Sequence, residues 1–157
     1  MAQKIKADKD YTLVAQITQV ADILVKVRER ELLPQKLSAT AADILFLVNA
    51  MGKDITPAKI GRMMLREAHS VSGILKRMEG HGLIDRTKNM KRSNQIRITL
   101  TAKGEKALKK AMELKGTMHV LSGLTGEQQR QLAKTLSILK EAGKKELHLS
   151  PKELLWP

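Results

Sequence analysis

The chain has 157 residues, 42% of them hydrophobic, and its 29 Lys+Arg against 16 Asp+Glu leave a formal net charge of +13. That length holds one core of ordinary size and not two. A large positive excess on a chain apolar enough to fold favours a polyanionic partner over a merely solubilising cationic surface. The absence of cysteine excludes disulfides and thiolate chemistry.

No apolar run approaches the roughly 20 residues that span a bilayer. The beginning, MAQKIKADKDY, has no apolar signal core, so a cytoplasmic location without a membrane partner is expected. Tyr11, Phe46 and Trp156 are the only aromatic residues. Sheets that bind RNA or single strands stack bases on aromatic rings. A chain this poor in rings cannot build such a platform, which favours duplex DNA as the polyanion.

In chain order, Leu13, Ile17, Val20, Leu24 and Val27 recur at helical spacing and predict a first helix from Tyr11 to about Arg30, ended by Pro34. Ser38 caps a second helix, with Ile44, Leu45 and Val48 inward and Gly52 at its exit. Thr56 and Pro57 open a short third helix, Pro57 standing where its missing N–H costs nothing. A turn of about three residues leads to a fourth helix, Ala68 to Gly80 or His81, with Val71, Ile74, Leu75 and Met78 inward and Gly82 as its left-handed exit. Two strands, Leu83 to Thr87 and Gln95 to Leu100, flank a polar loop. Thr101 caps a fifth helix running to about Leu121, where Ser122 and Gly123 break it, and the capping box Thr125 to Gln128 opens a sixth carrying Leu132, Leu136 and Leu139. The tail after Leu147 shows no period.

The third and fourth helices read as a helix-turn-helix, whose second helix puts its N-terminal residues against base edges in the major groove. Arg66 and His69 stand at that entering end, and the inward residues leave Ser70, Ser72, Gly73, Lys76 and Arg77 toward solvent. Hydroxyls and a glycine permit close approach to the bases, and arginine can grip guanine with two hydrogen bonds. Gly61 gives the two helices room to cross. The segment from Arg86 to Arg97 then holds Arg86, Lys88, Lys91, Arg92 and Arg97 without an acid, a cationic projection suited to phosphates or the minor groove.

These residues carry a resemblance. The segments LSATAADIL, ITPAKIGRMM, SVSGILKRMEGHGLIDR and IRITLTAKG, spread over Leu37 to Leu108, look like the winged helix-turn-helix of the MarR family of transcriptional regulators. The flanking helices also have that family's order. The resemblance implies a homodimeric regulator, most often a repressor, on a palindromic operator, with Lys88 to Asn94 as wing tip. The family's wing carries an Asp-x-Arg pair; Arg92 and Asn94 stand at the equivalent positions, so the acidic brace is missing and Lys91 or Arg92 takes over the contact.

The winged part has a core of its own, so three further amphipathic helices ask for another surface, and a symmetric partner is the economical answer. Met112 and Met118 suggest an adaptable pocket for a small-molecule effector, although methionine at helical spacing is more often core filling. His69, His81, His119 and His148 lack ligand spacing, and no phosphate loop or nucleophile elbow occurs. The expectation is therefore no enzyme, no cofactor and no metal. The fold expected is mainly α (α+β): an N-terminal dimerisation helix at 1–36, a winged helix-turn-helix at 37–100, and C-terminal dimerisation helices and tail at 101–157. A non-specific architectural DNA-binding protein, and a protein-interaction module with a basic surface, remain as alternatives at this stage.

Overall fold

In the computed structural model, which describes residues 8–52, 55–88 and 96–149, the elements follow as α1 (Lys9–Leu32), a 3₁₀ turn (Leu33–Gln35), α2 (Ala39–Met51), α3 (Pro57–Met63), α4 (Ala68–Gly80), β1 (Ile84–Lys88), β2 (Ile96–Leu100), α5 (Ala102–Ala111), α6 (Lys115–Leu121) and α7 (Gly126–Glu146). Side-chain caps set the starts of four of these helices, each at the residue the sequence predicts. Ser38 accepts the Ala41 N–H at 3.1 Å, Thr56 that of Lys59 at 3.2 Å and Thr101 that of Gly104 at 3.0 Å. Thr125 and Gln128 close a reciprocal capping box.

The core lies in the winged part. Ile44, Leu45, Val48, Ile60, Val71 and Leu75 are buried together with Ile84 and Ile98 of the hairpin and Leu108 of α5. β1 and β2 pair antiparallel, with Ile84 opposite Leu100 and Arg86 opposite Ile98. Among the described residues no helix is long and apolar enough to cross a membrane.

α4 leaves through a Schellman close, Leu83 N–H to the Met78 carbonyl and Gly82 N–H to that of Glu79, with Gly82 at φ 68°. The next three carbonyls are then taken up by one short segment. Leu83 accepts from the Thr101 N–H at 3.2 Å, Gly82 from the Thr101 hydroxyl at 2.6 Å and His81 from Lys103 Nζ at 2.7 Å. Gly104 lets α5 lie this close, since a Cβ there would fall onto the Leu83 carbonyl. The run Thr101–Gly104 is thus a single joint between the exit of α4, both ends of the hairpin and α5.

The fifth helix of the sequence reading is two helices. α5 stops at Ala111, Leu114 takes a left-handed φ of 47°, and α6 begins at Lys115. The cause is a contact distant in sequence. The Glu31 carboxylate of α1 accepts the Gly116 N–H, the Thr117 N–H at 3.4 Å and the Thr117 hydroxyl at 3.1 Å. It thereby supplies the cap that no residue before α6 provides, and Gly116 leaves room for the Glu31 side chain.

Gly104→Ala should lower stability by about 1–3 kcal/mol in urea unfolding at fixed protein concentration, because the colliding atom is backbone. The control Gly80→Ala, where a Cβ meets nothing within 4 Å, should be neutral or stabilising by up to about 1 kcal/mol. Glu31→Ala removes a charged acceptor from two backbone donors and should cost about 1.5–3 kcal/mol, with helicity at α6 lost first in hydrogen exchange.

Candidate nucleic-acid interface

α3 and α4 are joined by Met64, Leu65, Arg66 and Glu67, one residue more than the sequence predicts, because α3 ends in its own Schellman close. The Arg66 N–H reaches the Gly61 carbonyl at 2.9 Å and the Leu65 N–H that of Arg62 at 3.2 Å. Leu65 sits at φ 49°, where glycine is usual. Gly61 permits the crossing: a Cβ there would stand 3.0 Å from the Arg66 carbonyl oxygen and 3.7 Å from Val71.

Val71, Leu75 and Met78 fill the buried side of α4, with Ile74 half-buried beside them. Of the predicted contact residues, His69, Ser72, Lys76 and Arg77 are exposed, while Ser70 and Gly73 are half-buried. Arg77 folds back along the helix, its guanidinium 3.9 Å from where a Gly73 Cβ would be. Small residues and cations therefore share one uncovered stripe. Arg66 is exposed, with its guanidinium on the Thr40 hydroxyl of α2 at 3.3 Å.

The hairpin divides its cations. Strand parity puts Arg86 on the inward face with Ile84, and its Nε donates to Glu79 of α4 at 2.8 Å. Lys88 at the end of β1 is exposed. Lys91, Arg92 and Asn94 lie outside the described residues.

Sequence reasoning missed the start of α2. A groove of about 270 Å³ runs between it and the second half of α4, and Lys36, Ser38 and Thr40 line it together with Arg77 and His81. The signal was available: free N–H groups at a helix N-terminus, with Lys36 just before the cap, favour an anion.

A second concavity, of about 430 Å³, lies where α1, α2 and α5 meet the turn into α6. Leu24, Val25, Phe46, Leu108 and Met112 give it an apolar lining, and Arg28 and Asp43 are its charged residues. Met112 lines it as the sequence suggests; Met118, on α6, does not. Asp43 holds Arg28 Nη1 at 2.5 Å. Burial pushes the Asp43 carboxyl above its ordinary value, opposed by the charge and hydrogen bond of Arg28 and, through space, by Arg66.

A helix-turn-helix with one uncovered face on its second helix, followed at once by an antiparallel hairpin locked to that helix, defines a winged helix-turn-helix protein. The sequence model of the MarR family matches residues 35–90. The organohalide-sensing RdhR transcriptional regulator, in its 2,4-dichlorophenol-bound form, is similar with a TM-score of 0.85 and 30% identity over 96% of this chain and 90% of that one. The organic hydroperoxide resistance transcriptional regulator of Bacillus subtilis (strain 168) is 33% identical over 87 residues, so the match spans 55% of this chain and 59% of that protein's length. A mutant E. coli MarR complexed with operator DNA shares the fold, with a TM-score of 0.76 and 17% identity over 85% of this chain and 99% of that one. The chain belongs to the MarR family of transcriptional regulators.

Since a Cβ at Gly73 meets only the end of Arg77, Gly73→Ala should raise stability by about 0.5–1 kcal/mol. The same methyl thickens the stripe offered to the groove, so binding to a selected duplex should weaken about fivefold or more. Thermal unfolding and fluorescence anisotropy on one preparation test that opposition; affinity rising with stability would remove α4 from the contact.

Proposed function

We propose that the protein is a homodimeric, sequence-specific repressor that sets two copies of α4 in successive major grooves of a pseudo-palindromic operator. The observation that carries this reading is the uncovered stripe of α4, where Ser72, Lys76 and Arg77 are exposed beside Gly73 on a helix whose other side is core. Arg66, His69 and Ser70 extend that stripe toward the bases. Lys88 and the wing residues Lys91, Arg92 and Asn94 add phosphate or minor-groove contacts, and Arg86 supports them from the base through Glu79.

Dimerisation is supported by what the protomer leaves bare. No residue of the 21-residue α7 is buried. Leu132, Leu136 and Leu139 on α7 are 41%, 49% and 47% exposed, and Tyr11, Leu13, Val14, Ile17, Val20 and Ile23 on α1 are exposed as well. Apolar faces of that length mark an interface. A two-fold dimer spaces the recognition helices by about 34 Å, one turn of DNA. In domain terms, residues 37–100 read the DNA, while 1–36 and 101–157 hold the two copies together.

The cavity beside Arg28 and Asp43 is the proposed effector site. Its apolar lining with one ion pair suits a small apolar molecule with a single polar group, and the relative at 30% identity was solved with 2,4-dichlorophenol. The chain has no cysteine and so lacks the thiolate that peroxides oxidise most readily. The effector therefore binds non-covalently, and the chain is not a thiol-based peroxide sensor.

Selection of bound duplexes from random DNA tests the whole reading. A two-fold symmetric site with half-sites one turn apart is expected, holding an advantage of about a thousandfold or more over scrambled DNA in a salt titration; equal affinity for both would leave an architectural role. Arg77→Ala should weaken operator binding about tenfold or more with the dimer intact by light scattering. Leu136→Glu should give the reverse order of effects, a monomer first and weak DNA binding as its consequence.

A further inference from the structure

Asp43 is the one acid on α2, and two arginines from other elements address it. Arg28 of α1 binds it at 2.5 Å, and both residues line the 430 Å³ cavity. Arg66, at the entering end of the recognition helix, hydrogen-bonds Thr40, which precedes Asp43 by three positions and so lies on the same side of α2. Arg66 does not line the cavity. α2 therefore carries, within one turn, a contact to the effector cavity and a contact to the DNA-reading turn. Arg28 also has a donor to spare: its buried Nε finds no acceptor among the described residues.

We propose that Asp43 is a relay between cavity and DNA: an occupant that accepts hydrogen bonds from Arg28 frees the Asp43 carboxylate to draw Arg66 off Thr40. This rests on reading the cavity as the effector site. The physical reason is compensation. A carboxylate that has lost much of its water needs a cation, and when Arg28 turns to the occupant, Arg66 is the cation already within electrostatic reach. Movement of Arg66 shifts the start of α4, where base contacts are made. The occupant has an apolar body and one anionic or strongly accepting group, because only such a group outcompetes a carboxylate for guanidinium.

The test uses arginine side-chain Nε–Hε resonances of the full chain, with Arg66 assigned by its loss in Arg66→Lys. Arg28→Met mimics the occupied state. It should move the Arg66 resonance and weaken binding to a selected duplex about fivefold or more, and both effects should vanish when Asp43→Asn is already present. An unmoved Arg66 in a variant of unchanged thermal stability overturns the relay, as does a DNA effect of equal size in the Asp43→Asn background. If Arg28→Met does not fold, Arg28→Gln takes its place with the same two readouts, and an Arg66 resonance that stays constant there sinks the idea. Benzoate, a ring with one carboxylate, serves as the ligand probe. Calorimetric binding that shifts Arg66 in the wild type but not in Asp43→Asn supports the relay, and binding without that shift overturns it. Should benzoate fail to bind, the cavity reading loses that ligand class, while the Arg28→Met comparison still decides the relay.

Discussion

The close approach of α5 to the backbone at Leu83 governs the geometry of everything after α4. Three consecutive carbonyls, at His81, Gly82 and Leu83, are left behind by the helix exit, and all three are satisfied from Thr101 and Lys103. Their donors can reach only because Gly104 has no side chain to hold the two backbones apart. The recognition helix, the base of the hairpin and α5 are thereby joined at one point. Any change in the direction of α5, and of the helices that follow it, is felt at the C-terminal end of the helix proposed to read DNA. The segment Leu100–Gly104, which in sequence is only a short motif, is in physical terms a joint.

Burial is distributed unevenly about that joint. The winged part encloses a core that includes Ile44, Leu45, Ile60, Leu75, Ile84 and Ile98, all 0% exposed. Beyond it, α6 and α7 contribute no buried residue, and α1 contributes Leu32 alone. Helices of this length are held by the packing of an apolar face rather than by intrinsic propensity. A protomer that leaves such faces bare has not yet met the condition for their stability. In the proposed dimer the second copy completes the fold, so folding of the outer helices and pairing of the two reading heads become one event.

The sequence made local chemistry legible and left distant contacts hidden. Caps at Ser38, Thr56, Thr101 and Thr125 act within three residues of themselves, as do the left-handed exit at Gly82 and the inward stripe of α4, and all were readable from spacing. The break between α5 and α6 was not, since Lys109 to Leu121 contains no helix breaker beyond Gly116. Its cause is Glu31, about eighty positions earlier. The ion pair between Arg28 and Asp43 was hidden for the same reason. Arg86 is a different case: alternation along β1 already placed it on the side of Ile84, and its ion pair with Glu79 separates it from Lys88, which shares that face but is exposed at the strand end.

That separation bears on the missing acidic brace. The resemblance to MarR wings implies an acid at the position of Arg92, which would steady the loop from its tip. Here the acid that meets a hairpin arginine is Glu79, on the recognition helix itself, and it grips the base of the hairpin at Arg86. A pair this accessible, with side chains 25% and 37% exposed, contributes at most about 1 kcal/mol to stability. Its effect is orientational: it ties the base of the hairpin to α4. It also leaves Arg86 largely neutralised, and the proposed wing charge shifts outward to Lys88, Lys91 and Arg92.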